Sequence, residues 1–341
     1  MKRKQFLSFL ITAGAIAFGK ESMAGRKSGA ASLSSRIPPY LKEGDTIGIT
    51  SPASFISMAE IQPAITQLQR WGFRVEIGKT IGSRDFTRGG TDIERTADLQ
   101  QMLDRPEIKA IMCARGGYGL VRIIDQLNFR HFKKLPKWLI GFSDITLLHT
   151  HINSKYNIAS IHSKMCNSFP KIWEEALPIQ IETILSIRQV LTGQAIRYTA
   201  AYNEHNRRGR AEGILVGGNL SLIETATGSV SDLQTNNRIL FLEDTNEPLY
   251  SLDRMLWNLK RSGKLDRLKG LIIGGFKLKP EEPGEEFGKG LHEIVLEKVK
   301  EYDYPVCFDF PVGHQINNFA LKCGAAHILN IDQNGSTLTS I

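Results

Sequence analysis

Ser143 stands where the apolar run Trp138-Leu139-Ile140-Gly141-Phe142 meets a helix-like pattern, Asp144-Ile145-Thr146-Leu147-Leu148. At a strand-to-helix turn a serine hydroxyl is lifted clear of the sheet edge and faces the free N–H groups of the new helix. That is the setting of a nucleophile beside an oxyanion site. Ser143-Asp144 equally fits a plain helix cap. Ile145 occupies the place where a second glycine would complete G-x-S-x-G. A nucleophilic serine needs an imidazole within hydrogen-bond reach and a group that orients that imidazole.

The chain has eight histidines. His314 closes Phe310-Pro311-Val312-Gly313-His314, which places it in a loop at a strand end, open enough to exchange a proton. A surface loop histidine would be spelled the same way. His149 and His151 lie two apart on an expected helix and do not share a face, which argues against a metal chelate. His162 follows the strand-like run Ile158–Ile161 and could line the cleft, though it reads first as a satisfied structural histidine, while His131, His205, His292 and His327 have no supporting context. Glu243 follows Ile239-Leu240-Phe241-Leu242 and precedes Asp244. Two acids at the carboxyl end of a buried strand cost free energy unless they are partnered. Glu243 is thus the matching orienting carboxylate, or else a strand end reaching water.

The loop Arg115-Gly116-Gly117-Tyr118-Gly119 follows an apolar run and precedes an expected helix. Its glycines allow close backbone approach and aim N–H groups at negative charge. The spacing is neither G-x-G-x-x-G nor a P-loop, which weakens a nucleotide-binding reading. The backbone N–H groups of Gly117 and Asp144 are the expected oxyanion donors, with a tight turn as the alternative.

The elements that must position these residues come in two rhythms. From Asp45 onward short apolar runs alternate with amphipathic stretches: strands at Thr46–Thr50, Phe73–Ile77 and Ile108–Ala114, with helices through Ile61–Leu68, Glu94–Leu103 and Leu120–Leu127. Such alternation predicts an α/β fold with a flavodoxin- or Rossmann-like parallel sheet. Ser51-Pro52-Ala53, the glycine loop and Ser143 then share the carboxyl edge of that sheet. Residues 169–204 look like a connector, with Pro170 and Pro178 bracketing a helical piece. The second half is a more β-rich α/β domain. It carries runs at Gly213–Val216, Arg238–Leu242, Gly270–Ile273 and Val306–Phe310, a helix near Asn219–Thr227, and an amphipathic helix Leu252–Lys260 that stops at Gly263.

Lys2, Arg3 and Lys4 before the apolar run Phe6–Phe18, then Ser22-Met23-Ala24, read as a signal peptide over residues 1–24. The expected order is then a flexible leader 25–39, a nucleophile-bearing domain 40–168, the connector, and a domain 205–341 bearing Glu243 and His314. Loss of Lys2, Arg3, Lys4 and Lys20 with Glu21 takes the formal charge from +8 to +5. No basic block with interleaved aromatics points to nucleic acid. No stable membrane insertion is expected once the signal is cleaved, because the apolar run is short for a bilayer span. Cys113, Cys166, Cys307 and Cys323 are widely spaced without C-x-x-C. In an exported protein they could pair, but Cys113 and Cys307 lie inside apolar strand-like runs, where buried free thiols are the commoner reading.

Five stretches in order carry a resemblance: Gly44–Ala53, Ala114–Gly119, Ile140–Thr146, Leu242–Asp244 and Pro311–His314. Together they are similar to the LD-carboxypeptidases, the serine peptidase family that includes muramoyl-tetrapeptide carboxypeptidases and microcin C immunity proteins. The resemblance implies a Ser143–His314–Glu243 triad, an oxyanion hole from Gly117 and Asp144, two domains with the site between them, a homodimer, and no metal or other cofactor. It further implies release of terminal D-alanine from a murein peptide. Arg115 is a candidate clamp for the substrate carboxylate. An immunity-type hydrolase of acyl-sulfamoyl nucleotides is the alternative within the family. A non-catalytic periplasmic ligand-binding protein and a nucleotide-dependent oxidoreductase are alternatives outside it. Export would set this chain apart from the family's usual cytoplasmic recycling role.

Overall fold

The computed structural model describes residues 35–341, which build two sheets flanked by helices. The strands in chain order are β1 (Thr46–Thr50), β2 (Arg74–Ile77), β3 (Ile108–Cys113), β4 (Trp138–Gly141), β5 (Ser160–His162), β6 (Arg197–Ala200), β7 (Gly209–Asn219), β8 (Arg238–Glu247), β9 (Gly270–Leu278), β10 (Val306–Cys307), β11 (Leu321–Cys323), β12 (Ala326–Asp332) and β13 (Gly335–Ser340). The expected signal segment and the leader as far as residue 34 lie outside the described residues. Arg36 and Pro39, also assigned to the leader, are held in place. Arg36 bridges to Ile158, and Pro39 O accepts from Trp138 Nε1.

The first sheet has the order β11-β5-β4-β3-β1-β2, with β1 to β5 parallel. This is the 2-1-3-4-5 winding of flavodoxin-like folds, in which sites form beyond the carboxyl ends of the strands. β4 is buried throughout and β3 nearly so, which is why they read as continuous apolar runs rather than alternating ones. Helices Met58–Arg70 and Asp92–Asp104 each begin with a capping box, Ser57 with Glu60 and Thr91 with Glu94. The second sheet runs β10-β9-β8-β7-β12-β13-β6, parallel from β10 to β7 and antiparallel beyond. Helix Leu249–Arg261 buries Leu252, Met255, Leu256 and Leu259 along one face.

Several expectations change. The stretch Leu120–Leu127 is two short 3-10 turns, Leu120–Arg122 and Ile124–Gln126. So short a segment nucleates an α-helix poorly, and Leu120 N donates instead to Asp144 Oδ2 at 2.8 Å. The helix near Pro178 begins there and runs to Leu191, with proline in its favoured first position. Between Pro170 and Pro178 lies only the single turn Trp173–Glu175. The strand at Val306 stops at Cys307, because Asp309 takes a left-handed φ of 55° and Pro311 has no N–H to give.

The two sheets are joined through the chain's end. β11, from the carboxyl-terminal part, pairs antiparallel with β5 and places Leu321 opposite His162. One apolar cluster contains Ile49, Ile140 and Ile161 of the first sheet together with Leu215, Phe241 and Leu329 of the second. Thr146 Oγ1 accepts from Asn219 N at 3.0 Å, which ties the turn after Ser143 to the end of β7.

Candidate active site

Ser143 sits just past β4, where a 3-10 turn Ser143–Ile145 leads into helix Thr146–Tyr156. Its φ is +63°, a left-handed value that few residues other than glycine and asparagine adopt and that is common at strained functional turns. The serine is therefore not an ordinary helix cap, and no side-chain cap bond forms at this turn. Gly116 packs against it so closely that a Cβ there would stand 2.9 Å from Ser143 Cβ and 3.1 Å from Oγ. Gly117, at φ 101°, lies over Ser54, whose N donates to Gly116 O. The turn after β1, the glycine loop after β3 and Ser143 after β4 thus meet at one sheet edge, as the alternation predicts. Arg115 is exposed at the same edge, and its nearest polar contact is Phe55 O at 3.4 Å.

The opposite wall comes from the second sheet. β8 continues past Glu243 to Glu247, and its pairing with β9 shifts register between Leu242 and Asp244. Such an irregularity re-aims side chains. Glu243 is fully buried, with Oε2 2.5 Å from His314 Nδ1. Burial alone would raise its carboxyl. The imidazoles of His162 and His314 outweigh that and hold it below the usual carboxylate range. An ionised carboxylate only accepts hydrogen bonds, so Nδ1 of His314 carries the proton and Nε2 presents its lone pair. Asp244, pushed up to about 6 by burial, accepts from Asn219 Nδ2, Ser221 N and Thr245 N. Both acids are partnered, as a buried pair requires.

His314 is carried by a loop pinned on both sides. Gly313, at φ 99°, leaves no room for a side chain, because a Cβ there would meet Glu243 Cβ at 2.4 Å. Gly313 N donates to Asn318 Oδ1. The ring of His314 lies 4.9 Å from that of Phe142, the residue before Ser143. A cleft of about 410 Å³ opens here, lined by Phe142, Lys164, Thr245, Lys277, His314 and Asn318. A larger groove of about 590 Å³ between helix Met58–Arg70 and residues 167–174 contains neither serine nor histidine. Its volume is greater, but it is the smaller cleft that His314 lines.

Two residues here stood outside the expected site. His162 is fully buried beside Glu243 rather than satisfied elsewhere, and both its ring nitrogens lack a hydrogen-bond partner. Lys164 donates to Thr183 Oγ1 and Ile316 O, tying helix Pro178–Leu191 to the loop after His314; burial pushes its ammonium down to about 8. His149 bonds Gly141 O and His151 bonds Ser231 Oγ, both as neutral buried rings. The four cysteines are free and buried. Among the described residues no group of three or more His, Cys, Asp or Glu is placed to hold a metal.

Residues 47–163 match the LD-carboxypeptidase N-terminal domain model, and residues 212–329 match the LD-carboxypeptidase C-terminal domain model. The chain belongs to the LD-carboxypeptidase family. It is 32% identical over 296 residues to the probable murein peptide carboxypeptidase of Bacillus subtilis, covering 86% of this chain and 91% of that protein. It is 28% identical over 292 residues to the murein tetrapeptide carboxypeptidase of Pseudomonas aeruginosa, covering 83% and 92%. The fold is that of the microcin C7 self-immunity protein MccF of Escherichia coli, with a TM-score of 0.77, 24% identity and coverage of 89% and 98%. As a member of the family this chain is a serine-type LD-carboxypeptidase. Among the described residues no helix is long and apolar enough to cross a membrane.

Proposed function

We propose that the protein hydrolyses the L,D amide bond that releases terminal D-alanine from murein tetrapeptides. The observation carrying the mechanism is the 2.5 Å pairing of buried Glu243 with His314, whose ring lies against Phe142 next to a Ser143 of left-handed backbone. In this reading Ser143 Oγ attacks the carbonyl carbon while His314 Nε2 takes its proton, and Glu243 stabilises the imidazolium. The backbone N–H groups of Gly117 and Asp144 receive the oxyanion, each donor contributing roughly 3 kcal/mol to the transition state. The C–N bond breaks as His314 returns the proton to departing D-alanine. Water then attacks the acyl-serine with the same histidine as base, restoring the free hydroxyl. Arg115 clamps the terminal carboxylate of the substrate.

The N-terminal segment 1–24 exports the chain to the periplasm, and the mature enzyme works as a homodimer. N-terminal sequencing of secreted material and sedimentation velocity test these two statements. The decisive experiment for the reaction is mass spectrometry of murein tri-, tetra- and pentapeptides incubated with the protein. Loss of D-alanine from the tetrapeptide, abolished in Ser143→Ala, is the expected result. Tight binding without release would support a ligand-binding protein instead, and cleavage of an aminoacyl-sulfamoyl nucleotide in place of the tetrapeptide would support an immunity-type hydrolase.

A further inference from the structure

Behind the Glu243–His314 pair lies an imidazole that the mechanism leaves idle. His162 ends β5, held between Gly141 of β4 and Leu321 of β11. Its ring stands edge-on to Phe241 at 5.0 Å and to Phe142 at 5.7 Å, and it is fully buried. Neither ring nitrogen has a hydrogen-bond partner, and neither does Glu243 Oε1. Nε2 and Oε1 are 3.7 Å apart. That is longer than a hydrogen bond, but a closure of less than about 1 Å brings a donor and an acceptor, each otherwise unsatisfied, into contact.

The groups that face His162 leave one role open. On helix Thr146–Tyr156, His149 lies 6.5 Å away ring to ring, with its Nε2 on Gly141 O, and burial keeps it neutral. Cys323 of β11 is a buried thiol whose ionisation burial opposes. On β8, Asp244 is occupied by its three donors. His314, beyond Glu243, spends Nδ1 on Oε2. Glu243 Oε1 is the acceptor that remains.

We propose that His162 is a positioning residue: it donates Nε2–H to Glu243 Oε1, so that the carboxylate is gripped by an imidazole on each oxygen and presents Oε2 to His314 in one orientation. This rests on the Ser143–His314–Glu243 reading, and its physical reason is simple. A buried carboxylate held on one oxygen only is free to rotate about its terminal torsion, which is broad. A second donor removes that freedom and, by favouring the charged form, also resists protonation.

The test compares His162→Leu with His162→Gln, whose amide restores an N–H donor. Steady-state kinetics on the tetrapeptide, pH profiles of kcat/KM and melting curves are recorded for each. His162→Leu is expected to lose about 10- to 100-fold in kcat with KM within about twofold. Its acid limb should move to higher pH, because a carboxylate deprived of one donor holds the pair's proton more tightly. His162→Gln should recover most of kcat and the wild-type limb. Wild-type kcat and limb in the leucine variant, or a glutamine variant no better than leucine at equal melting temperature, would overturn the proposal. A separate readout needs no turnover. In 15N-histidine spectra of the wild-type protein, His162 should appear as the Nε2–H tautomer, with its resonance moving in Glu243→Gln. An Nδ1–H tautomer would overturn the proposal even in an active enzyme, whereas the expected spectrum in a protein that releases no D-alanine would discard only the catalytic reading.

Discussion

Glu243 and His314 are 71 positions apart in sequence and 2.5 Å apart in space, the carboxylate fully buried and the imidazole 18% exposed. One partner is sealed in the second sheet and the other reaches the cleft. That asymmetry suits a fixed anion steering a working base. Removing a buried charge's partner is costly, so the milder Glu243→Gln is the informative change. It should lower kcat for D-alanine release by about 10²- to 10⁴-fold with KM little altered. A kcat within twofold of wild type would remove Glu243 from the mechanism.

Gly313 and Gly116 both lack room for a side chain, one beside Glu243 and one beside Ser143. Gly313 has a left-handed φ and no space toward Glu243. Gly313→Ala should therefore destabilise by about 1–3 kcal/mol in urea unfolding and also displace His314. Gly116 has an ordinary φ, and its missing Cβ would press on the Ser143 side chain. Gly116→Ala should destabilise by about 1–3 kcal/mol through overpacking against Ser143 and reduce kcat about tenfold or more by shifting the hydroxyl.

Thr146 links the two sheets through Asn219 N, and both residues are buried. Thr146→Val keeps shape but leaves that N–H unsatisfied, a loss of about 1–3 kcal/mol. Calorimetry should show one cooperative transition at lower temperature. An unchanged melting temperature would mean that the hydrogen bond contributes nothing net.

Buried neutral histidines should make the fold acid-sensitive. Burial pushes His149 down to about 3 and His151 and His327 down to about 4. Below about pH 6.5 the unfolded chain therefore binds protons that the folded chain refuses, and stability falls as pH drops from 6.5 toward 4. Asp144 and Asp244, each pushed up to about 6, act in the opposite sense between roughly pH 4 and 6. Comparing His327→Gln with wild type cancels those shared contributions. The variant should lose less stability on acidification, by up to about 3 kcal/mol at pH 4, since one refused proton costs roughly 1.4 kcal/mol for every pH step of one below 6.5. Parallel stability–pH curves for the two proteins would contradict this.

Much of the site is legible in local spelling. The parallel alternation, the apolar run that halts at Ser143, the glycines before Tyr118 and the acids after Leu242 are all short-range patterns, and short-range patterns are what backbone geometry and burial write into a sequence. What is not written locally is which strand lies beside which. β11 has only three residues and no periodicity to read, yet it closes the edge of the first sheet next to His162. The register shift of β8 at Glu243 depends on its pairing with β9, and the orphaned nitrogens of His162 depend on what surrounds them on every side.

By itself, then, the sequence determined the α/β class, the strand end that leads to Ser143, and membership of a family by the order of five short motifs, because each is a matter of residue type and spacing. Only the tertiary structure decided that Glu243 lies between two imidazoles, that a side chain at Gly116 would press on the serine, and that the end of the chain returns to the first sheet. These relations join positions far apart in sequence, and the packing that brings them together is a property of the whole core.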